Sequence, residues 1–153
     1  MKERQSTAIL LLAEDGQSLV VRATIGMEEE LIGMRIPVGR GVAGSIAASR
    51  VPLIVEDLST VEVINPFLKQ KARSLIGAPL IVEDRFIGVI HADTIRARRF
   101  TEEDVRLLQL AADRVALAIE QARLYKVEQQ ARRQAEEESR IMKAFLAGSG
   151  SPQ

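Results

Sequence analysis

The chain of 153 residues contains no cysteine. That absence excludes disulfides, thiolate metal sites, thiol nucleophiles and thioether-linked chromophores together. Aromatic residues make up only 3 % of it, too few for a platform on which single-stranded bases stack. Neither charge dominates, with 21 Lys+Arg against 21 Asp+Glu. A dedicated nucleic-acid binder carries a basic excess to neutralise phosphates, so no nucleic-acid partner is expected. Long apolar runs are missing too. The longest, Ala8–Ala13, falls far short of the roughly 20 residues that span a bilayer. No apolar segment of the secretory type follows Met1, so the expectation is a cytoplasmic chain without membrane insertion. Neither end looks like a natural stop, which suggests a piece of a larger protein.

What is present is ordinary globular composition, 46 % apolar and 27 % charged. Thr7–Ala13 and Ser18–Thr24 are β-compatible runs joined at Asp15-Gly16, a hairpin signal. Met34–Val38 suits a short strand, Val42–Ser49 a two-turn helix, and Leu53–Val55 a short extended piece. Residues 58–73 are irregular: Asn65-Pro66 blocks continuous structure, with a short helix around Phe67–Lys71. Ser74–Val82 and Phe86–Thr94 then form the clearest hairpin. Alternation places Ile76, Ala78, Leu80 and Val82 on one face of its first strand. On the second strand it places Phe86, Ile90 and Ala92 opposite Ile87, Val89 and His91. Both faces are apolar, so the pair belongs at the centre of a sheet covered on both sides.

Thr101-Glu-Glu-Asp104 is a capping box that opens a helix. Leu108, Ala112, Val115, Ile119 and Ala122 then recur at steps of three and four, a heptad seam expected to form a dimer interface. Leu107, Leu110, Ala111, Ala118 and Leu124 add a second apolar stripe, so one stripe can pack on the sheet and the other on a partner. Residues 126–143 are mostly polar, and Gly148-Ser-Gly-Ser-Pro152 should end the helix. The domain organisation read from this is a globular part at 1–125, a helical extension at 126–147 and a flexible tail at 148–153.

Few motifs carry chemistry. Gly39-Arg-Gly41-Val-Ala-Gly44 matches G-x-G-x-x-G, but Pro37 interrupts the feeding strand and no second βα unit follows. The plainer reading is glycines that allow a tight turn and close helix–strand contact. His91, the sole histidine, could ligate a haem iron or sense pH, or be an ordinary hydrogen-bonded core histidine. A metal site is not expected, since one His without Cys cannot build the usual zinc set. No Ser sits in a nucleophile-elbow pattern, and the acidic pairs Glu56/Asp57 and Glu83/Asp84 diverge on extended backbone. No catalytic residue is therefore assigned, and the chain is expected not to be an enzyme. Arg73-Ser74, at the entry to the central hairpin, could clamp a carboxylate or phosphate.

The order of elements is more telling than any one motif. Val38-Gly-Arg-Gly-Val-Ala-Gly44, Val51-Pro-Leu-Ile-Val-Glu-Asp57, Arg73-Ser-Leu-Ile-Gly-Ala-Pro-Leu80, Phe86-Ile-Gly-Val-Ile90 and Phe100-Thr-Glu-Glu-Asp104 together resemble the GAF family over about residues 6–124. The resemblance implies an α+β fold: a six-stranded antiparallel sheet with helices on one face and a ligand pocket on the other, plus a long C-terminal helix. It also implies a sensory or dimerisation module fused to an output domain such as a histidine kinase, phosphatase, cyclase or transcription activator, as in two-component systems. Family members begin with a helix before the first strand, for which few residues remain here. The expected ligand site is Asp57, Asn65, Phe67, Arg73, Ser74 and His91, with an unidentified small-molecule ligand and no assignable cofactor.

The ligand motifs of known subclasses do not carry over. Asn65-Pro66-Phe67 is a partial echo of the cyclic-nucleotide motif, Leu58-Ser59 stands where bilin binders have Ile-Pro, and Lys69 occupies the haem ligand's place. Members that reduce free methionine sulfoxide use cysteines, so that activity is not expected. The resulting expectation is a small-molecule sensor that homodimerises through its C-terminal helix. The alternative is a structural dimerisation spacer without a ligand.

Overall fold

The computed structural model describes residues 5–27 and 29–149. Six strands build one antiparallel sheet in the order β3-β2-β1-β6-β5-β4. They are β1 (Gln5–Leu12), β2 (Ser18–Ile25), β3 (Arg35–Pro37), β4 (Leu53–Val55), β5 (Ser74–Val82) and β6 (Arg85–Thr94). Helices α1 (Gly41–Ser49) and α2 (Pro66–Lys71) lie between β3 and β5, and α3 (Glu102–Ser149) follows β6. By contacts the chain falls into two compact units, Met1–Leu117 and Ala118–Gln153.

Turn chemistry sets the hairpins. Gly16 takes φ +72° between β1 and β2, and Asp15 Oδ1 accepts from the Gln17 amide. Between β5 and β6, Glu83 and Asp84 both take positive φ, the two-residue turn whose twist matches the flanking strands. The central hairpin is buried on both faces, as its double apolar pattern requires. One register shift alters the expected facing. Leu80 pairs with Gly88 but Ile81 with Phe86, so Ile87 is an extra residue in β6. Phe86 therefore joins Val89 in the core cluster under α1 and α2, whereas strict alternation had placed it with Ile90 and Ala92. Arg50, the left-handed C-cap of α1, lies over the Phe86 ring at 5.7 Å.

That core cluster joins Ala8, Leu10, Leu19 and Val21 of the sheet to Ile46 of α1 and Phe67 and Leu68 of α2. The glycine-rich segment earns its glycines by close approach. A Cβ on Gly44 would stand 2.3 Å from the Pro37 carbonyl oxygen, so α1 can seat against β3 only without one. The opposite face, with Ile76, Ala78, Leu80 and Ile90, is buried as well. The start of α3 lies against this part of the sheet, its Gln109 donating to the Pro79 carbonyl at 3.3 Å.

The capping box forms as expected: the Thr101 amide donates to Asp104 Oδ2 at 2.8 Å, and the Asp104 amide to Thr101 Oγ1 at 3.2 Å. Those bonds hold the Asp104 carboxyl below its ordinary range, the Thr101 amide contributing most. Of the proposed seam, Ala112 is fully buried within the chain's own fold, Leu108, Val115 and Ile119 are half-buried, and Ala122 is exposed. Ala112 packs within the chain's own fold. The exposed stripe is Leu107, Leu110, Leu117 and Leu124. In the second unit, Arg123–Glu120, Arg132–Glu128 and Arg140–Glu137 pair along the helix surface. The helix continues through Gly148 to Ser149, past the expected break. The rest of the expected tail, 150–153, lies outside the described residues.

Candidate functional site

The segment between α1 and β5 covers one face of the sheet and carries most of the expected site residues. Its order comes from side-chain caps. Asp57 Oδ1 accepts from the Ser59 amide at 3.0 Å and the Ser59 hydroxyl at 2.7 Å, starting a short 3-10 turn. The Ser59 hydroxyl bond is the main cause holding the Asp57 carboxyl below its usual range, the Ser59 amide adding to it. Asn65, buried, caps α2: its Oδ1 accepts from the Phe67 and Leu68 amides at 2.9 and 3.4 Å, with Pro66 following as the first helical residue. Asn65-Pro66 is thus a helix start.

A second anchor ties this cover to α1. Arg40 holds Glu62 through Nε at 2.8 Å and Nη2 at 2.9 Å, and the Gly41 amide donates to the same carboxylate at 3.0 Å. The Arg40 hydrogen bond, then the Gly41 amide, push the Glu62 carboxyl down to about 2. Glu62 thereby fills the N-terminus of α1 with an internal anion.

Cavities border the segment. One of about 600 Å³ includes Asp57, Glu62, Lys69 and Arg73 in its lining. A second of about 410 Å³ runs from Gly39 and Gly41 to Asp57 and Glu62. Another, about 250 Å³, is lined by Gln5, Ser6, Gly26, Phe67, Lys71 and Ile95. Among the described residues no group of three or more His, Cys, Asp and Glu is placed to hold a metal ion. Among them, no helix is long and apolar enough to cross a membrane.

The six expected ligand residues do not converge. Asp57 and Arg73 share the 600 Å³ cavity. Asn65 spends its carbonyl on the cap of α2. Ser74 is fully buried, its hydroxyl donating to the Glu56 carbonyl at 2.6 Å and accepting from the Arg98 amide at 2.9 Å. That serine stitches backbone to backbone. Phe67 borders the 250 Å³ cavity, and its ring carries Lys71 Nζ at 5.5 Å. His91 is buried on the sheet, with Nδ1 3.6 Å from Asp93 Oδ2. Sequence reasoning missed Asp93, Ser6, Arg40 and Glu62. Asp93 had a legible signal, an acid two residues from His91 on an apolar strand and so on its face. The Arg40–Glu62 pair, far apart in sequence, had none.

The sheet order, the cover between α1 and β5, and the capped α3 match one described family. The GAF domain model aligns with residues 4–120. The chain belongs to the GAF domain family. Among curated relatives, the Nif-specific regulatory protein of Herbaspirillum seropedicae is 28 % identical over 149 residues, covering 92 % of this chain and 27 % of that protein. Free methionine-R-sulfoxide reductase of Escherichia coli is 40 % identical over 82 residues, 52 % of this chain and 48 % of the enzyme. The chain thus spans about a quarter to a half of the curated relatives it matches. Among solved structures, the GAF domain of a phosphoenolpyruvate-protein phosphotransferase from Coxiella burnetii superposes with a TM-score of 0.72 at 20 % identity, over 80 % of this chain and 75 % of that one. The GAF domain is therefore homologous to domains of regulatory proteins.

One expectation is overturned. The chain was expected not to be an enzyme, yet an enzyme shares 40 % identity with half of it. A GAF scaffold this similar supports catalysis in that relative. Lack of cysteine removes thiol chemistry from this chain, and nothing broader follows from it.

Proposed function

We propose that this GAF domain is a small-molecule-sensing and dimerising regulatory module, relaying ligand binding through α3 to an output domain of a longer protein. The observation that carries the sensing part is the cover over β1, β6 and β5. The Arg40–Glu62 pair ties it to the start of α1, Asp57 and Asn65 set its own turns, and cavities of about 600, 410 and 250 Å³ border it. On this reading the segment takes two arrangements, and a ligand shifts their balance through its differential affinity for them. Kinship with a Nif-specific regulatory protein over 92 % of the chain supports the regulatory role. The dimer part rests on the exposed leucine stripe of α3, Leu107, Leu110 and Leu117, spaced as heptad positions.

The spacer reading has its own support, since Ile46, Phe67 and Leu68 pack directly onto the sheet and fill the centre of the covered face. Native mass spectrometry of the protein as purified, before dialysis, separates the two. A dimer with a discrete added mass supports sensing, a bare dimer supports the spacer, and a bare monomer counts against the paired helix. A ligand at about 100 times its Kd should add roughly 2.7 kcal/mol in a melt. No such gain across nucleotides, amino acids, haem and organic acids removes the sensing reading.

A further inference from the structure

Buried polar side chains in this domain mostly have partners. Asn65 caps α2, Ser74 bridges two backbone groups, and the Thr94 hydroxyl donates to the Arg96 carbonyl at 2.7 Å. The exceptions lie together. His91 Nδ1 and Asp93 Oδ2 find no hydrogen-bond partner among the described residues, although each residue is only 1 % exposed. Thr24 Oγ1 is a third such atom. A bare buried carboxylate oxygen is among the costlier defects a fold can carry, and it calls for an explanation.

The β-ladder explains why these groups meet. His91 and Asp93 are two residues apart on β6 and share a face. Ser6 stands opposite Asp93, and its hydroxyl donates to Asp93 Oδ1, leaving Oδ2 bare. Ala8 stands opposite His91 on one side and Gly77 on the other, while Thr24 lies beyond Ala8 on β2. Small residues thus flank the polar pair. The face is the one under α1 and α2, since a Cβ on Gly77 would meet Ile46 of α1. The 250 Å³ cavity reaches Ser6, one hydrogen bond from Asp93, past Phe67 and Lys71.

The chemistry of the bare atoms selects the ligand. Asp93 Oδ2 only accepts, and His91 Nδ1 accepts when the ring proton is on Nε2. At 3.6 Å the contact is too long for a hydrogen bond and is an ion pair only with the ring protonated, so with a neutral ring a shared donor satisfies both. An anion offers no donor. A hydroxyl offers one and no charge. A primary ammonium offers three donors and, beside a neutral ring, the positive charge that balances the buried carboxylate.

We infer that His91 and Asp93, with Ser6 orienting the Asp93 carboxyl, form the recognition point for the primary ammonium group of a small ligand entering past Phe67. The inference rests on the sensing reading above and adds the ligand's chemical class.

His91 is the only histidine in the chain, so ¹⁵N-histidine labelling reports this site alone. The protein is titrated with n-butylammonium and L-leucine, and with butyrate and n-butanol as size controls, at constant ionic strength. The expected result is a saturable change in the His91 ring resonances with the ammonium probes and none with the controls. Asp93→Asn weakens it roughly tenfold or more, because a charged acceptor becomes neutral. Ser6→Ala, which keeps the carboxylate, weakens it less and serves as the test should Asp93→Asn fail to fold. Ring resonances unmoved by either ammonium probe overturn the inference. So does an equal response to butanol, or a response unchanged in the variants. If the purified protein carries a ligand without an amine, this inference fails while sensing stands. Ammonium binding that leaves melting and oligomeric state unchanged keeps the site but sinks the relay.

Discussion

Gly44→Ala sets two physical effects against each other. Gly44 lies inside α1, where alanine should favour the helix by about 1 kcal/mol. Against that, the added Cβ stands 2.3 Å from the Pro37 carbonyl oxygen, while ordinary carbon–oxygen contacts begin at about 3.3 Å. Relief needs roughly 1 Å of backbone movement in a close-packed seat, a distortion that costs about 1–3 kcal/mol or more. The same movement strains the bond from the Gly39 amide to the Gly44 carbonyl, 2.8 Å long and worth about 1 kcal/mol. Contact should win, with a net loss of about 1–3 kcal/mol. At roughly 4 °C per kcal/mol for a unit of this size, Tm falls by about 4–12 °C. The assay is a thermal melt by circular dichroism, with Gly16→Ala as the control. Gly16 has positive φ but open space around it, so its cost should be limited to about 1 kcal/mol of backbone strain. A Gly44→Ala protein as stable as the parent, or more so, refutes the argument that close approach explains this glycine.

Asn65→Ala removes the cap of α2 and should cost about 1 kcal/mol, with faster hydrogen exchange at the Phe67 and Leu68 amides. Unchanged exchange there counts against the cap. Glu62 has its carboxyl lowered from 4.5 to about 2 in the fold, so its stabilisation is fully present above about pH 4.5 and is lost as the pH falls toward 2. The stability gap between the parent and Glu62→Gln should therefore close across that window, and a constant gap would show that the clamp is not what titrates. The double change Leu110→Asp and Leu117→Asp should convert the proposed dimer to monomer in light scattering while leaving the melt cooperative, because both side chains are more than half exposed. A surviving dimer places the interface elsewhere.

Local signals were the legible ones. The apolar residues on both faces of Ser74–Val82 and Phe86–Thr94 announced a doubly covered central hairpin, and Thr101 with Asp104 announced the start of α3. The Gly39–Gly44 motif was legible because Pro37 spoiled the dinucleotide context, leaving close packing as its purpose. What stayed hidden was non-local. Nothing near Ile87 marks the extra residue that turns Phe86 toward α1, since that shift exists only in the pairing with β5. Asn65, chosen as a ligand residue, caps a helix instead because Pro66 suits the first helical position as well as it suits a loop. Ala112 and the leucine stripe could be sorted only once the sheet showed which side of α3 it takes up.

The extra residue in β6 also bears on how this chain may be compared or recombined with its relatives. Residues on either side of Ile87 obey opposite inside–outside parities, so a correct correspondence must count it as an insertion. Pairing β6 straight through, with Ile87 taken into the ladder, would rotate Arg85 and Phe86 together. Phe86 would leave the core for the other face, and Arg50 at the end of α1 would lose the ring it lies over. The bulge is therefore a phase marker: a relative without that residue keeps the counterpart of Phe86 on the core face only where it stands directly beside the counterpart of Gly88.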